Sequence, residues 1–421
     1  MYDWANSAFA TTVMAAVLPI FFRNVSTAAI PQSHHYLATS LWGYTASAAM
    51  LFIAIIALIM GPIADHFSSK KIFIGIFTSI GVLFTALISL TGSGDWIWVS
   101  IFFIAANIGF AGSEIFYDSL LPHISRPEHM DRVSTRGYAT GYFGGGLLLI
   151  INIIMIWLLP KTSIQGSSVM LPILGMRLSI LSAAVWWGLF SLFLFKIIPE
   201  PKIEFHDSIS TNPLKISAGR LINTFKEIKR YKNLFLFLLA FWFYNDGIGT
   251  IIKMATAFGD EIGISTMDLV GALLLTQIVG FPSSLGFGKI AERIGAKKTI
   301  LIGLAIYIMV SVAAFFITRA IHFWIVAFII GLIQGGTQAL SRSLFGSMVP
   351  RKKSAEFFGF YNISGKFAGI IGPAIFGIVS QLAKTSRLGV LSLILFFVTG
   401  GLLLLKVDTE KSNTSRNQTI L

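Results

Sequence analysis

Seven ionisable side chains fall inside runs that are otherwise apolar: Asp3, Glu114, Asp118, Asp246, Lys253, Arg342 and Lys366. Carrying a charge into hydrocarbon costs on the order of 3 kcal/mol per group, so each is a functional candidate by default. Helical spacing groups them. Glu114 and Asp118 are four apart and share a face, as do Asp3 and Asn6. Asp246, Thr250 and Lys253 form a second stripe, Gln334, Gln338 and Arg342 a third, and Asn362 with Lys366 a fourth. Polar stripes converging from separate helices of an apolar bundle would line a cavity for a small polar solute. Blander readings apply to three of them. Asp118 lies four residues before Pro122, near a solvated end. Lys253 lies near the outer end of its run and could snorkel to the interface. Asp3 could serve only the positive end of its helix.

Bond-making chemistry finds no support. The chain has no cysteine, and no H-E-x-x-H, G-x-S-x-G or G-x-x-x-x-G-K-[ST] pattern. No catalytic residue, metal site or cofactor is expected, and ATP hydrolysis is excluded as a power source.

The elements that must hold these residues follow from composition. Of 421 residues, 55% are hydrophobic and 12% charged, about half the charged share of a soluble domain. A helix needs about 20 apolar residues to span hydrocarbon. Twelve such runs are read at 2–22, 41–64, 71–91, 96–120, 137–159, 174–198, 233–256, 267–290, 298–318, 321–347, 357–382 and 387–406. Residues 1–22 lack a basic leading segment and are not read as a cleavable signal. Trp42, Trp96, Trp98 and Trp324 near run ends fit an aromatic belt.

The chain also repeats itself. Gly61-Pro62-Ile63-Ala64-Asp65-His66-Phe67-Ser68-Ser69-Lys70-Lys71 recurs 227 residues on as Gly288-Lys289-Ile290-Ala291-Glu292-Arg293-Ile294-Gly295-Ala296-Lys297-Lys298. Further along the offset becomes 228, pairing Glu114 with Arg342, Pro122 with Pro350 and Gly141 with Gly369. A duplicated multi-span unit marks a secondary transporter whose halves rock about a site between them. The expected organisation is a six-helix half over 1–198, a linker over 199–232, a second six-helix half over 233–406 and a tail over 407–421. The net charge of +13 is spread through short loops rather than gathered in a patch for nucleic acid. Of the 32 Lys and Arg, 23 fall in the even-to-odd loops, the linker and the tail. That bias places both termini in the cytoplasm.

The two repeated loops resemble the signature of the major facilitator superfamily: Gly, an acid four residues later, then a basic cluster. The resemblance implies that Asp65, Lys70, Lys71, Glu292, Arg293 and Lys297 act as a cytoplasmic gate. The second copy matches well, whereas His66, Ser68 and Ser69 depart from the pattern in the first. Tyr2-Asp3-Trp4-Ala5-Asn6-Ser7-Ala8-Phe9-Ala10-Thr11-Thr12-Val13 resembles the first-helix motif of the vacuolar amino-acid effluxer family linked to autophagy, and of its bacterial relatives. Tyr244-Asn245-Asp246-Gly247, followed by Ile251-Ile252, resembles that family's seventh helix. The resemblance implies an all-α membrane protein of the superfamily fold, with twelve transmembrane helices in two pseudo-symmetric six-helix halves. It also implies movement of amino acids or related solutes, across the inner membrane if the chain is bacterial.

Asp3, Asn6, Glu114, Asp246, Thr250, Gln334, Gln338, Arg342, Asn362 and Lys366 are the expected substrate and coupling residues. Glu114 and Arg342, equivalent under the repeat and opposite in charge, would pair when the cytoplasmic side is closed. Asp246 is the first candidate for a carried proton, since the nearest base on its helix, Lys253, is about 10 Å along the axis. Its alternative role is a hydrogen bond to Asn6 that ties the halves together. The expected partners are a small-molecule solute, the lipid bilayer and protons, with the chain acting as a monomer. The competing reading is a non-transporting membrane sensor on the same fold, signalling through 199–232.

Overall fold

Where no water can satisfy backbone N–H and C=O groups, a spanning segment closes its bonds internally, and the long apolar runs are helical over most of their described residues. The structure, a computed structural model, describes residues 1–66, 70–118, 120, 130–163, 170–198, 231–348, 360–361, 364–365 and 369–408. The helices are α1 (Tyr2–Thr27), α2 (Tyr36–His66), α3 (Lys70–Ile88), α4 (Trp96–Asp118), α5 (Met130–Leu158) and α6 (Ile173–Ile197). They continue as α7 (Lys232–Glu261), α8 (Thr266–Ile294), α9 (Ala296–Phe315), α10 (Ala320–Met348), α11 (Ile371–Ala383) and α12 (Ser386–Leu405). Among the described residues, ten helices are long and apolar enough to cross a membrane. The apolar parts of α8 and α11, Thr266–Gly280 and Ile371–Ala383, are shorter. Thr162–Ser163 pairs with Met170–Leu171 between α5 and α6. Of the expected linker, Tyr231 and Lys232 are described; the expected tail is described as far as Asp408.

Two helix ends correct the sequence expectation. α1 runs on to Thr27 and α7 to Glu261. Arg23 therefore belongs to α1 rather than to a loop, and Lys253 lies two turns inside α7 rather than at its end. Both helices outlast their apolar runs because the extra polar residues bond each other, as shown below.

Two helices are irregular, each at a proline. Phe9–Ala16 of α1 is wound as a π-helix, with the Val17 N–H bonded to the Thr12 carbonyl. Pro19, three residues beyond, has no N–H to offer the Ala15 carbonyl. That carbonyl is instead met by the Thr256 hydroxyl of α7 at 2.9 Å. Upstream of α11, residues 360–361 and 364–365 are helical, Gly369–Ile370 form a turn, and the regular helix starts at Ile371. Pro373 lacks the N–H that would bond the Gly369 carbonyl, and the described part of the expected run 357–382 is interrupted by the turn at Gly369–Ile370.

Within residues 1–198, α1 packs on α5 and α6, α4 on α2 and α3, and α6 on α3. Within 232–408, α8 packs on α10, α12 on α7, α9 and α11, and α9 on α10. The two sets meet through α2 with α11, α5 with α8, and α1 with α7. The start of α7 and the end of α12 meet on one face, where Asn233 bonds Asp408, called here the near side; α1 and α7 end together on the far side.

Candidate functional site

The first-helix motif is largely spent on holding its own set together. The Tyr2 hydroxyl bonds Thr78 of α3 at 2.8 Å, and the Thr12 hydroxyl donates to Asn152 of α5 at 2.7 Å. Trp4 stacks on Trp186 of α6, with ring centroids 5.6 Å apart. Asp3 accepts a hydrogen bond from the Tyr117 hydroxyl of α4. Asp3, Ser7 and Thr11 lie one turn apart and seat on Gly137, Gly141 and Gly145 of α5, which are spaced alike. A Cβ on any of the three glycines would lie 2.6 Å from a side-chain oxygen of the facing residue. Close packing of a polar ridge into a bare groove is how small residues serve membrane helices. Asn6 is buried.

Asp246 is 3% exposed and does not bond Asn6. One carboxylate oxygen, Oδ2, accepts the Gly372 N–H at 2.8 Å. The break in α11 leaves first-turn N–H groups without intrahelical partners, and a carboxylate at a helix N-terminus is the matching charge. The other oxygen, Oδ1, is buried with no hydrogen-bond partner. Gly372 is required for this approach, because a Cβ there would overlap Thr250 and sit 2.5 Å from Oδ1. Lys253 turns its Nζ to the same strip of α11, 3.1 Å from where a Gly369 Cβ would stand. Asp246, Thr250 and Lys253 thus share the face of α7 that meets α11.

The opposite face of α7 borders a cleft between the two sets. Ile251, Ile252 and Ala255 line it together with Ala15 of α1, Tyr142 of α5, Thr276 and Gln277 of α8, and Gln334 of α10. Of the expected solute residues, Gln334 borders this cleft. Tyr142, Thr276 and Gln277 were not read from the sequence. The pairing of α5 with α8 that brings them together is a long-range contact that no single run displays.

The two sets are bonded to each other on the far side. Every hydrogen bond that joins the two sets among the described residues lies between the middle of the molecule and that side. Trp42 Nε1 donates to the Lys253 carbonyl at 2.8 Å and Ser47 to the Ile370 carbonyl at 2.6 Å. Tyr44 donates to Gln381 at 2.5 Å, and Thr256 to Ala15 as described. Arg23 and Asp260 complete the set with an ion pair at 2.6 Å. α2 and α11 touch backbone to backbone: a Cβ on Gly43 would lie 2.7 Å from the Pro373 oxygen and 3.3 Å from the Gly377 Cα.

A far side bonded across the sets, an inter-set cleft and two repeated helical sets together describe a membrane carrier. A family model for "Vacuole effluxer Atg22 like" proteins matches residues 1–417. The chain belongs to that family. It is 40% identical to YxiO of Bacillus subtilis, described as an uncharacterized MFS-type transporter, over 99% of this chain and 96% of that protein. It is 22% identical to Autophagy-related protein 22 of Kluyveromyces lactis, over 89% of this chain and 81% of that one. Its fold matches the crystal structure of a mutant nucleoside transporter, NupG, with a TM-score of 0.68 at 12% identity, covering 96% of this chain and 98% of the other. The fold is that of the major facilitator superfamily, and this member of the Atg22-like family is a multi-pass membrane transporter, not an enzyme.

On the near side the repeated loops of this Atg22-like chain do something the sequence did not display. Lys71, second residue of α3, donates to the Phe195 and Ile198 carbonyls at 2.9 and 2.6 Å, closing the end of α6. Lys297, second residue of α9, donates to the Leu405 and Val407 carbonyls at 2.8 and 2.6 Å, closing α12. These are orphan carbonyls of a helix C-terminus, where a cation is favourable. The resemblance implied that both lysines act in a cytoplasmic gate; in this structure each bonds the carbonyls that end another helix of its own set. Lys70 is buried, while Arg293, Gln338 and Arg342 are exposed. Glu114 is half-buried, and among the described residues it forms no ion pair with Arg342. Asn362 and Lys366, and the side chains of Asp65, Asp118 and Glu292, lie outside the described residues.

Proposed function

We propose that this chain is a secondary active transporter of small solutes, amino acids or similar, working by alternating access, with residues 1–198 and 233–406 as the moving halves. The observation that carries it is the one-sided bonding. All described cross-set hydrogen bonds lie on the far half, and the cleft lies between the sets. Tyr142, Gln277 and Gln334 offer hydroxyl and amide groups on an otherwise apolar wall, the usual make-up of a small-solute site. Asp246 is the proposed proton carrier. Its buried Oδ1 has no hydrogen bond to lose when protonated, and its Oδ2 reports to α11, which packs against the other set through α2. Protonation weakens the hold on the Gly372 N–H and so loosens the seam where α2 crosses α11. Closure of the near side would bring Glu114 and Arg342 together, with Asp65, Lys70, Glu292 and Arg293 nearby. Asp3, Asn6, Gln338, Asn362 and Lys366 complete the proposed polar path. The lysine and arginine bias of the loops supports cytoplasmic termini and, for a bacterial cell, the inner membrane, with the monomer as the working unit.

The test is uptake and counterflow in proteoliposomes, beginning with neutral amino acids, with and without a pH gradient. Accumulation driven by the gradient is expected. Absence of flux for every solute, alongside solute-dependent partner binding by the folded chain, would favour a sensor instead.

A further inference from the structure

Arg23 and Asp260 stand where α1 and α7 end, on different sets, with an N–O distance of 2.6 Å. Their side chains are 14% and 9% exposed. Among the described residues this is the ion pair, so it is the charge-charge link observed between the halves. The surroundings are unbalanced. Glu261, next to Asp260, accepts the Ser386 N–H of α12 at Oε1, 3.0 Å away, while its Oε2 is buried without a hydrogen-bond partner. Arg23 Nε is likewise buried without one. The nearby Arg387 is occupied by the Phe315 carbonyl. The cation is thus paired with one of two adjacent acids, in a site that leaves a donor and an acceptor unused.

Burying an ion pair offsets its desolvation only when the geometry is complete, whereas removing one partner leaves a charge that strongly prefers water. The pair is therefore bistable. Dry and joined, it holds α1 against α7; once water enters, every unused valence is met and the joined state loses its advantage. The Thr256–Ala15 bond lies just beneath it on the same two helices, so parting the pair exposes that seam next.

We propose that Arg23 and Asp260 form a latch that sets how often the far side opens, with Glu261 keeping the latch under-satisfied so that it releases in each cycle. The inference rests on the alternating-access reading, and its test needs no solute. The chain has no cysteine, so Ala15→Cys, on the cleft beneath the seam, is a single reporter for a membrane-impermeant thiol reagent. In that background Asp260→Asn and Arg23→Gln should each raise labelling from the far side by about tenfold, within the usual range for coupled equilibria. Labelling from the near side should fall in step, which a merely loosened protein would not show. The reversed pair, Arg23→Asp with Asp260→Arg, should return both rates toward the parent. Unchanged far-side labelling in both single variants, or labelling that rises from both sides together, would overturn the latch. Failure of transport itself would appear separately, in the flux screen.

Discussion

Asp246 is the residue on which the proposed proton coupling rests. Its Oδ2 accepts the Gly372 N–H, and its Oδ1 is buried in the seam without a hydrogen-bond partner. A coupling acid must reach two protonation states without collapse of its surroundings, and a backbone N–H can stay in place while its acceptor changes charge. Asp246→Asn preserves shape and an acceptor oxygen but fixes the neutral state. It should leave exchange of labelled for unlabelled solute intact and abolish accumulation driven by a pH gradient. If exchange is lost as well, the carboxylate serves structure or solute binding, and the proton is carried elsewhere, with Glu114 next. The sequence placed Asp246 on a polar stripe with Thr250 and Lys253. It could not show which way the stripe faces, because that is decided by α11, more than a hundred residues away. A solute cavity was the expectation; a broken helix end is what the stripe meets.

At the scale of elements, the irregular windings of α1 and α11 are where the halves engage. Both start from a proline whose missing N–H frees a carbonyl, and in α1 the other half supplies the replacement donor. Thr256→Val would strand the Ala15 carbonyl in a buried site, at a cost of about 1–3 kcal/mol. Pro19→Ala restores a backbone donor to α1 and should recover part of that loss. Thermal unfolding of the two single variants and the double in detergent would show this as a non-additive cycle; strictly additive losses would mean that Pro19 and Thr256 do not share the carbonyl. Such windings were readable in part. Pro19, Pro373 and the glycine spacing of 137, 141 and 145 are plain in the chain. The partner of each was not, since the Asp3–Ser7–Thr11 ridge and the Gly groove are separated by more than 130 residues.

Across the whole molecule, the helix count, the repeat and the family were legible, because hydrophobic length and duplicated loop motifs are local signals. The state of the gates was not. Ion pairs such as Arg23–Asp260 arise only when two helix ends meet, and ending α1 at 22 and α7 at 256 hid both partners. The carbonyls that Lys71 and Lys297 meet were not legible either, because each lies more than a hundred residues from its lysine.

The central claim is that the two sets rock so that one side opens as the other closes. Paired spin labels in this cysteine-free chain measure it directly, with Ala29 and Arg319 marking the far side and Ile72 and Lys298 the near side. The account predicts a short far-side distance in the resting chain. Upon a shift of pH, or addition of a solute found in the flux screen, a second population should appear with the far-side distance longer and the near-side distance shorter. Distances that stay single under every condition, or that lengthen on both sides at once, would contradict it.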